Sequence, residues 1–276
     1  MDTLALAKDG RIGPWARAYG RLAVPLAAVL AALAALRFGV MLTEAARSPG
    51  SIGIDYTTVI DGTNRWLHGG SPFAPRQLAG PYLQIGANLS DSGEFLYPPI
   101  ALPFFAPFTV LPGICWWATP AVLFGAGLLR LRPARWTWPL LAFLALAGQS
   151  IPLVIAWNPT IWIVTFAVWA PFVGWTGPLV LLKPTVAPLA LLGIRHRSWW
   201  ITAGLLAIAC VPFGSLWRDW LTAVTNMRTN GPPGFAFSLL QLPFLLLPFV
   251  AWLGRRSPPK RDPVATGELP SPSGTR

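Results

Sequence analysis

Between Leu22 and Leu253 the chain is a succession of uncharged apolar runs, several approaching the roughly twenty residues a helix needs to cross a bilayer, with basic residues gathered at their ends. In hydrocarbon every backbone N–H and C=O must be satisfied within its own segment, so runs of this kind fold as helices. Composition agrees: 54% of the residues are hydrophobic and only 11% charged, where a soluble domain has about 25% charged. The sequence predicts an all-α polytopic membrane protein. About eight transmembrane helices are expected, over residues 22–43, 97–111, 114–130, 137–156, 160–175, 177–194, 198–216 and 235–253. Within 97–130 the break is Leu111-Pro112-Gly113, and within 160–194 it is Gly174-Trp175-Thr176-Gly177.

The net charge of +11 does not point to nucleic acid, because the basic residues flank the apolar runs. Lys8, Arg11, Arg17 and Arg21 precede the first run, Arg195 and Arg197 follow a later one, and Arg255, Arg256, Lys260 and Arg261 follow the last. That is the positive-inside pattern, which sets orientation and attracts anionic lipid headgroups. Eight helices put both termini on the cytoplasmic side of the cell membrane with a modest basic excess there. Their weak point is Arg130-Leu131-Arg132-Pro133-Ala134-Arg135, which they leave outside. Residues 1–21 read as a basic cytoplasmic N-terminus, 22–253 as the transmembrane domain, and the Pro- and Ser-rich 254–276 as a disordered cytoplasmic tail. The run from Leu22 continues through Leu42, too long for a signal-peptide core, so the first helix is expected to be uncleaved. Cys115 and Cys210 lie inside apolar runs, and His68 and His196 share no ligand spacing, so no metal site is expected. Tryptophans near the run ends suit the headgroup layer.

The polar exception is residues 44–96, an outer loop too long to be a simple connection. Within it Tyr56, Val59, Ile60, Thr63, Trp66 and Leu67 recur at helical spacing, predicting a short amphipathic helix at the interface. Asp55 is expected to be its N-cap and Gly69-Gly70 its stop, and Asp61 precedes Arg65 by the four residues that favour an ion pair. Two ionisable groups lie within apolar runs, Arg37 and Lys183; such groups are costly at depth and raise a functional hypothesis.

Asp55-Tyr56, then Gly69, Pro72-Phe73 and Phe95-Leu96-Tyr97-Pro98-Pro99 form an ordered series, continued by Leu182-Lys183-Pro184 and the cluster Arg195-His196-Arg197-Ser198-Trp199. Over about residues 20–200 the series resembles the polyprenyl-phosphate-dependent membrane glycosyltransferases of family 87, which have the GT-C fold. Where members of that family carry a Gly-Gln-x-Asn type element, this chain reads Ala156-Trp157-Asn158-Pro159, keeping the Asn. The resemblance implies transfer of a sugar, mannose or arabinose-like, from a polyprenyl-phosphate donor to an envelope glycolipid or glycan hydroxyl, inverting and metal-independent. No cofactor is implied beyond the lipid-linked sugar. Asp55 takes the matching place of the essential acid. Lys183, Arg65, Arg76, Tyr97, Tyr56 and Asn158 are the candidates to bind donor phosphate and sugar, with Arg37 a further phosphate candidate. Asp91 and Glu94 are the alternative acids, and His68 reads as a loop residue facing water. The chain is shorter than that family's usual members, which motivates a second expectation: a non-catalytic membrane module that binds lipid-linked sugar or partners a second membrane subunit.

Overall fold

A computed structural model describes residues 14–48, 50–79, 94–230 and 239–255. Asp91, the first part of the basic N-terminus and almost all of the expected tail lie outside the described residues. Among those described, the protein is all-helical, without a strand. The helices are α1 (Pro14–Arg47), α2 (Ile54–Leu67), α3 (Pro75–Ala79), α4 (Leu102–Phe105), α5 (Gly113–Leu131), α6 (Trp138–Leu146), α7 (Ser150–Ile155), α8 (Thr160–Val173), α9 (Thr176–Leu179), α10 (Arg197–Cys210), α11 (Leu216–Asn230) and α12 (Leu242–Leu253). 3₁₀ turns extend several of them: Pro99–Ala101 and Ala106–Thr109 flank α4, Val180–Leu182 prolongs α9, and Pro184–Gly193 follows it. Two stretches, Arg21–Arg47 and Gly113–Leu131, are long and apolar enough to cross a membrane; a third qualifies if Arg197–Phe213 and Leu216–Thr229, bent by 92°, count as one.

Helix α8 is apolar on every face and buried almost throughout, from Thr160 to Val168, which marks it as the centre of the bundle. It is walled by α5, α9, α12 and the Pro184–Gly193 segment. Trp162 and Phe166 both pack edge-on against Phe104, with Trp116 and Phe108 completing the aromatic core. By contrast α1 presents Leu22, Val29 and Leu36 to the outside, as a helix facing lipid does.

The bundle has two chemically different ends. At one, Gly53 N–H donates to Ile155 O, Tyr56 Oη–H to Phe108 O and Gln149 N–H to Leu240 O, so α2, the end of Ala106–Thr109, α7 and the start of α12 meet there. At the other, Tyr19 donates to Trp136 O, Ala134 N–H to Gly254 O and Ser198 to Val173 O, and the Arg130 guanidinium lies over the Trp169 and Phe172 rings. Among the described residues every acid (Glu44, Asp55, Asp61, Glu94 and Asp219) belongs to segments at the first end. Arg21, Arg130, Arg132, Arg135, Arg195, Arg197 and Arg255 gather at the second.

Following the chain between these ends does not show the eight expected spans. Residues 97–111 begin beside Phe95, whose ring seats on Gly62 of α2, and end at Phe108 and Gly113, beside Tyr56 of the same helix. They run along α2 and return to the end they came from. Residues 177–194 also double back: α9 rises from the arginine end, the chain turns at Lys183 against Thr160, and Gly193 returns to Ala170 and Gly174. Lys183 precedes Pro184, whose ring disfavours the α conformation, and it is extended (φ −127°, ψ 87°), which makes the turn. The expected 137–156 span is itself broken between α6 and α7. The carbonyls freed at the break are taken up: Leu144 O by Ser150, and Leu146 O and Gly148 O by the Arg37 guanidinium.

Candidate functional site

The loop after α1 enters α2 through Gly53, which sits in the left-handed region (φ 73°) with the Trp157 ring 3.2 Å from where a Cβ would lie. Only glycine fits both demands. The first turn of α2 then docks end-on against the last turn of α7, Gly53 and Asp55 N–H donating to Ile155 O and Ala156 O at 3.0 Å each. Orphan donors of one helix thereby meet orphan acceptors of another. Asp55 is not the cap, as expected from sequence, but lies within the first turn, and its side chain is free to face the end of α7. The other end of α2 follows expectation: Gly69 (φ 82°) and Gly70 N–H donate to Trp66 O and Arg65 O, a Schellman stop. The buried face of α2 is Thr58, Val59, Gly62 and Thr63, while Leu67 is exposed.

Helix α7 ends in the same motif with an unusual residue. Trp157 N–H donates to Val154 O and Asn158 N–H to Leu153 O, with Trp157 at φ 54° where glycine is normal. A left-handed tryptophan costs about 1–2 kcal/mol. Trp116 offsets this by donating its indole N–H to Trp157 O at 2.8 Å, and the Trp157 and Tyr56 rings lie 5.7 Å apart. The strained turn swings Asn158 beneath Asp55.

Asn158 is oriented from both sides. Its Oδ1 accepts the Thr160 backbone N–H at 2.9 Å and the Thr160 hydroxyl at 2.5 Å, which leaves Nδ2–H to donate to Asp55 Oδ2 at 2.6 Å. The Thr160 hydroxyl in turn accepts from Lys183 Nζ at 2.5 Å, and Gln241 Oε1 faces the same ammonium at 3.4 Å. Ammonium, hydroxyl, amide and carboxylate thus form one chain in which every donor points from Lys183 towards Asp55. Among the described residues Asn158 is the single donor to the Asp55 side chain, which keeps Oδ1 able to accept from another group. Burial pushes the Asp55 carboxyl above its ordinary value of 3.8; the Asn158 hydrogen bond and then the Lys183 charge oppose the rise.

Of the residues singled out from sequence, Asp55, Asn158 and Lys183 meet in this chain, and two tyrosines border it. Tyr97 is close enough to feel the Asp55 charge and packs on Phe95 and Phe105. Tyr56 lies between Trp116 and Trp157, its phenol pushed up by burial and then by Cys115. The other cations are held elsewhere. Arg37 serves the α6–α7 break, Arg65 donates to Pro72 O at 2.6 Å instead of pairing with Asp61, and Arg76 Nε pairs with Glu94 at 3.2 Å. His68 is exposed and lies 2.7 Å from Asn64 O. Thr160 and Gln241 were not foreseen. Thr160 had a local signal, two residues after an Asn able to bond its backbone; Gln241 had none.

Among the described residues no group of His, Cys, Asp or Glu is arranged to hold a metal ion. No family model matches the chain, and no curated protein or solved structure matches it.

Proposed function

We propose that the protein is a membrane glycosyltransferase of the GT-C kind, moving a mannose- or arabinose-like sugar from a polyprenyl-phosphate donor to a hydroxyl of an envelope glycolipid or glycan. The observation that carries this reading is the hydrogen-bonded chain from Lys183 to Asp55 at the acidic end of an apolar bundle. The acceptor oxygen attacks the anomeric carbon while Asp55 takes its proton. The anomeric C–O bond to phosphate breaks on the opposite face, and the phosphate leaves with the electron pair. Inversion follows. Lys183 supplies positive charge for the departing anion, and the raised carboxyl of Asp55 makes it a better base than an exposed aspartate. The leaving phosphate is a stable anion, so the step needs no strong acid.

In this reading the chain crosses the membrane six times, through α1, α5, α6 with α7, α8, α10 and α12, while 97–111 and 177–194 are re-entrant. The Asp55 end faces outward and both ends of the described chain face the cytoplasm. Arginines without acids at the far end support that orientation, and Arg130, Arg132 and Arg135 now fall on the inner side. The lipid tail of the donor would lie among the helices with its phosphate at the outer interface.

One observation favours the non-catalytic reading: each member of the Lys183–Thr160–Asn158–Asp55 chain is already bonded to the next, as in a purely structural polar network. The two readings separate in a reconstituted assay. Purified protein in lipid, given polyprenyl-phospho-mannose or the arabinose-type donor with envelope glycolipid, is expected to turn over and to stop in Asp55→Asn. Absence of turnover from this chain alone, restored by a second membrane subunit that co-purifies, would favour the binding module.

A further inference from the structure

We infer that Thr160 is a positioning residue: its hydroxyl locks the Asn158 amide with nitrogen towards Asp55 and couples the Lys183 charge to that carboxylate. The inference deepens the reading of Asp55 as the base.

The argument is one of donor and acceptor direction. A hydroxyl has one proton to give. Lys183, with three N–H and no lone pair, can only donate, so Thr160 Oγ1 accepts from it at 2.5 Å. The Thr160 proton then goes to Asn158 Oδ1, also at 2.5 Å. An Asn amide can flip by exchanging its oxygen and nitrogen, and a flip here would aim oxygen at the Asp55 carboxylate. Both Thr160 donors, hydroxyl and backbone N–H, stand against that flip. Thr160 is fully buried, so water cannot substitute for the hydroxyl. Two residues away along the chain the same side chain would do nothing for Asp55; its effect depends on standing between a half-buried cation and an amide. Charged donors polarise the hydroxyl they engage, which strengthens the next bond in line.

The groups facing Asp55 are Lys183 from the turn after α9 and Tyr97 from the strand-like approach to α4, with Tyr56 on its own helix and Cys115 of α5 facing Tyr56. The tyrosines stay neutral below about pH 9. Over the acidic and neutral range the tyrosines therefore leave the charge around Asp55 unchanged, and its midpoint reports the Lys183–Thr160–Asn158 chain.

The test needs no turnover. Dicyclohexylcarbodiimide modifies protonated carboxyls in apolar surroundings, and peptide mapping of the full-length protein in detergent micelles separates Asp55 from Glu94. Labelling of Asp55 is followed against pH. In Thr160→Val, which keeps shape and removes the hydroxyl, the midpoint is expected to move up by about one pH unit, and Thr160→Ser to restore it. Glu94 labelling serves as the internal control and stays fixed. An unchanged Asp55 midpoint in Thr160→Val, or a shift that Thr160→Ser does not reverse, overturns the inference. If Thr160→Val fails to fold, Thr160→Cys carries the test: a smaller upward move supports the coupling and no move overturns it. A wild-type protein that transfers no sugar, together with the shift in Thr160→Val, would reject the transferase reading and keep the coupling.

Discussion

Two carboxylates, Glu94 buried and Asp55 half-buried, lie at the same end of this bundle and are managed in opposite ways. Glu94 is nearly sealed, and the cation that answers it, Arg76, is half in water, 3.2 Å away on the short helix α3. Around that pair Gln77 donates to Phe95 O and Asn226 of α11 to Gln77 O, so the cluster fastens α3 and the segment at Phe95 to α11. Among the described residues Asp55 has no adjacent cation. Its positive partner is Lys183, two polar side chains removed, and those side chains are fixed by a strained turn. Burial raises both acids, but Glu94 is quenched by direct contact while Asp55 keeps an oxygen available. A carboxylate neutralised at once is useful for holding a loop; one held at a distance from its counter-charge can still take a proton.

The comparison breaks if the two acids prove interchangeable. Asp55→Asn is expected to lower transfer by about 10²–10⁴-fold, the size of a lost general base, whereas Glu94→Gln keeps it within about threefold because no reacting group is removed. Equal losses in both would show that the site had been assigned to the wrong carboxylate. The cations follow: Lys183→Met should cost about 10²–10³-fold by removing charge from the leaving phosphate, and Arg76→Met little, as read by initial rates in lipid.

The pH dependence sharpens the contrast. As the proposed base, Asp55 would act only when ionised, so the acid limb of the rate profile should lie above 3.8, and Asn158→Ala, which removes a bond favouring the carboxylate, should move it higher. Stability runs the other way. Burial favours the neutral carboxyl, so the stability that Asp55 lends is complete below its ordinary 3.8 and is lost as pH rises through the raised value. Asp55→Asn should therefore melt higher than wild type at pH 7 while being inactive, a combination that thermal unfolding in detergent would detect. The smallest effect is expected from the ion pair itself: Arg76→Met, with one partner half-exposed, should cost about 1 kcal/mol or less.

Much of this was legible in the chain. Helical class follows from apolar runs that have no other way to satisfy their backbone in lipid, and the stop of α2 follows from Gly69-Gly70. Asp55, Asn158 and Lys183 were named from their places in a series of short motifs. What was not legible depended on distant partners. Asp55 and Asn158 are 103 positions apart, and Arg37 and Leu146 are 109. No local pattern says that Arg37 will serve a broken helix or that Arg65 will turn to Pro72.

Sequence by itself determined that the chain is helical and oily, that Arg130, Arg132, Arg135, Arg195 and Arg197 stand in segments without acids, and which few polar residues lie among apolar ones. Tertiary structure decided which short apolar runs traverse the bundle and which fold back, and with that it put Arg130, Arg132 and Arg135 together with Arg255 at one end. The reason is physical. An apolar run of fifteen residues satisfies the same local rules whether it crosses or doubles back, and only its neighbours, here α2 for 97–111 and α8 for 177–194, supply the surface that selects between them.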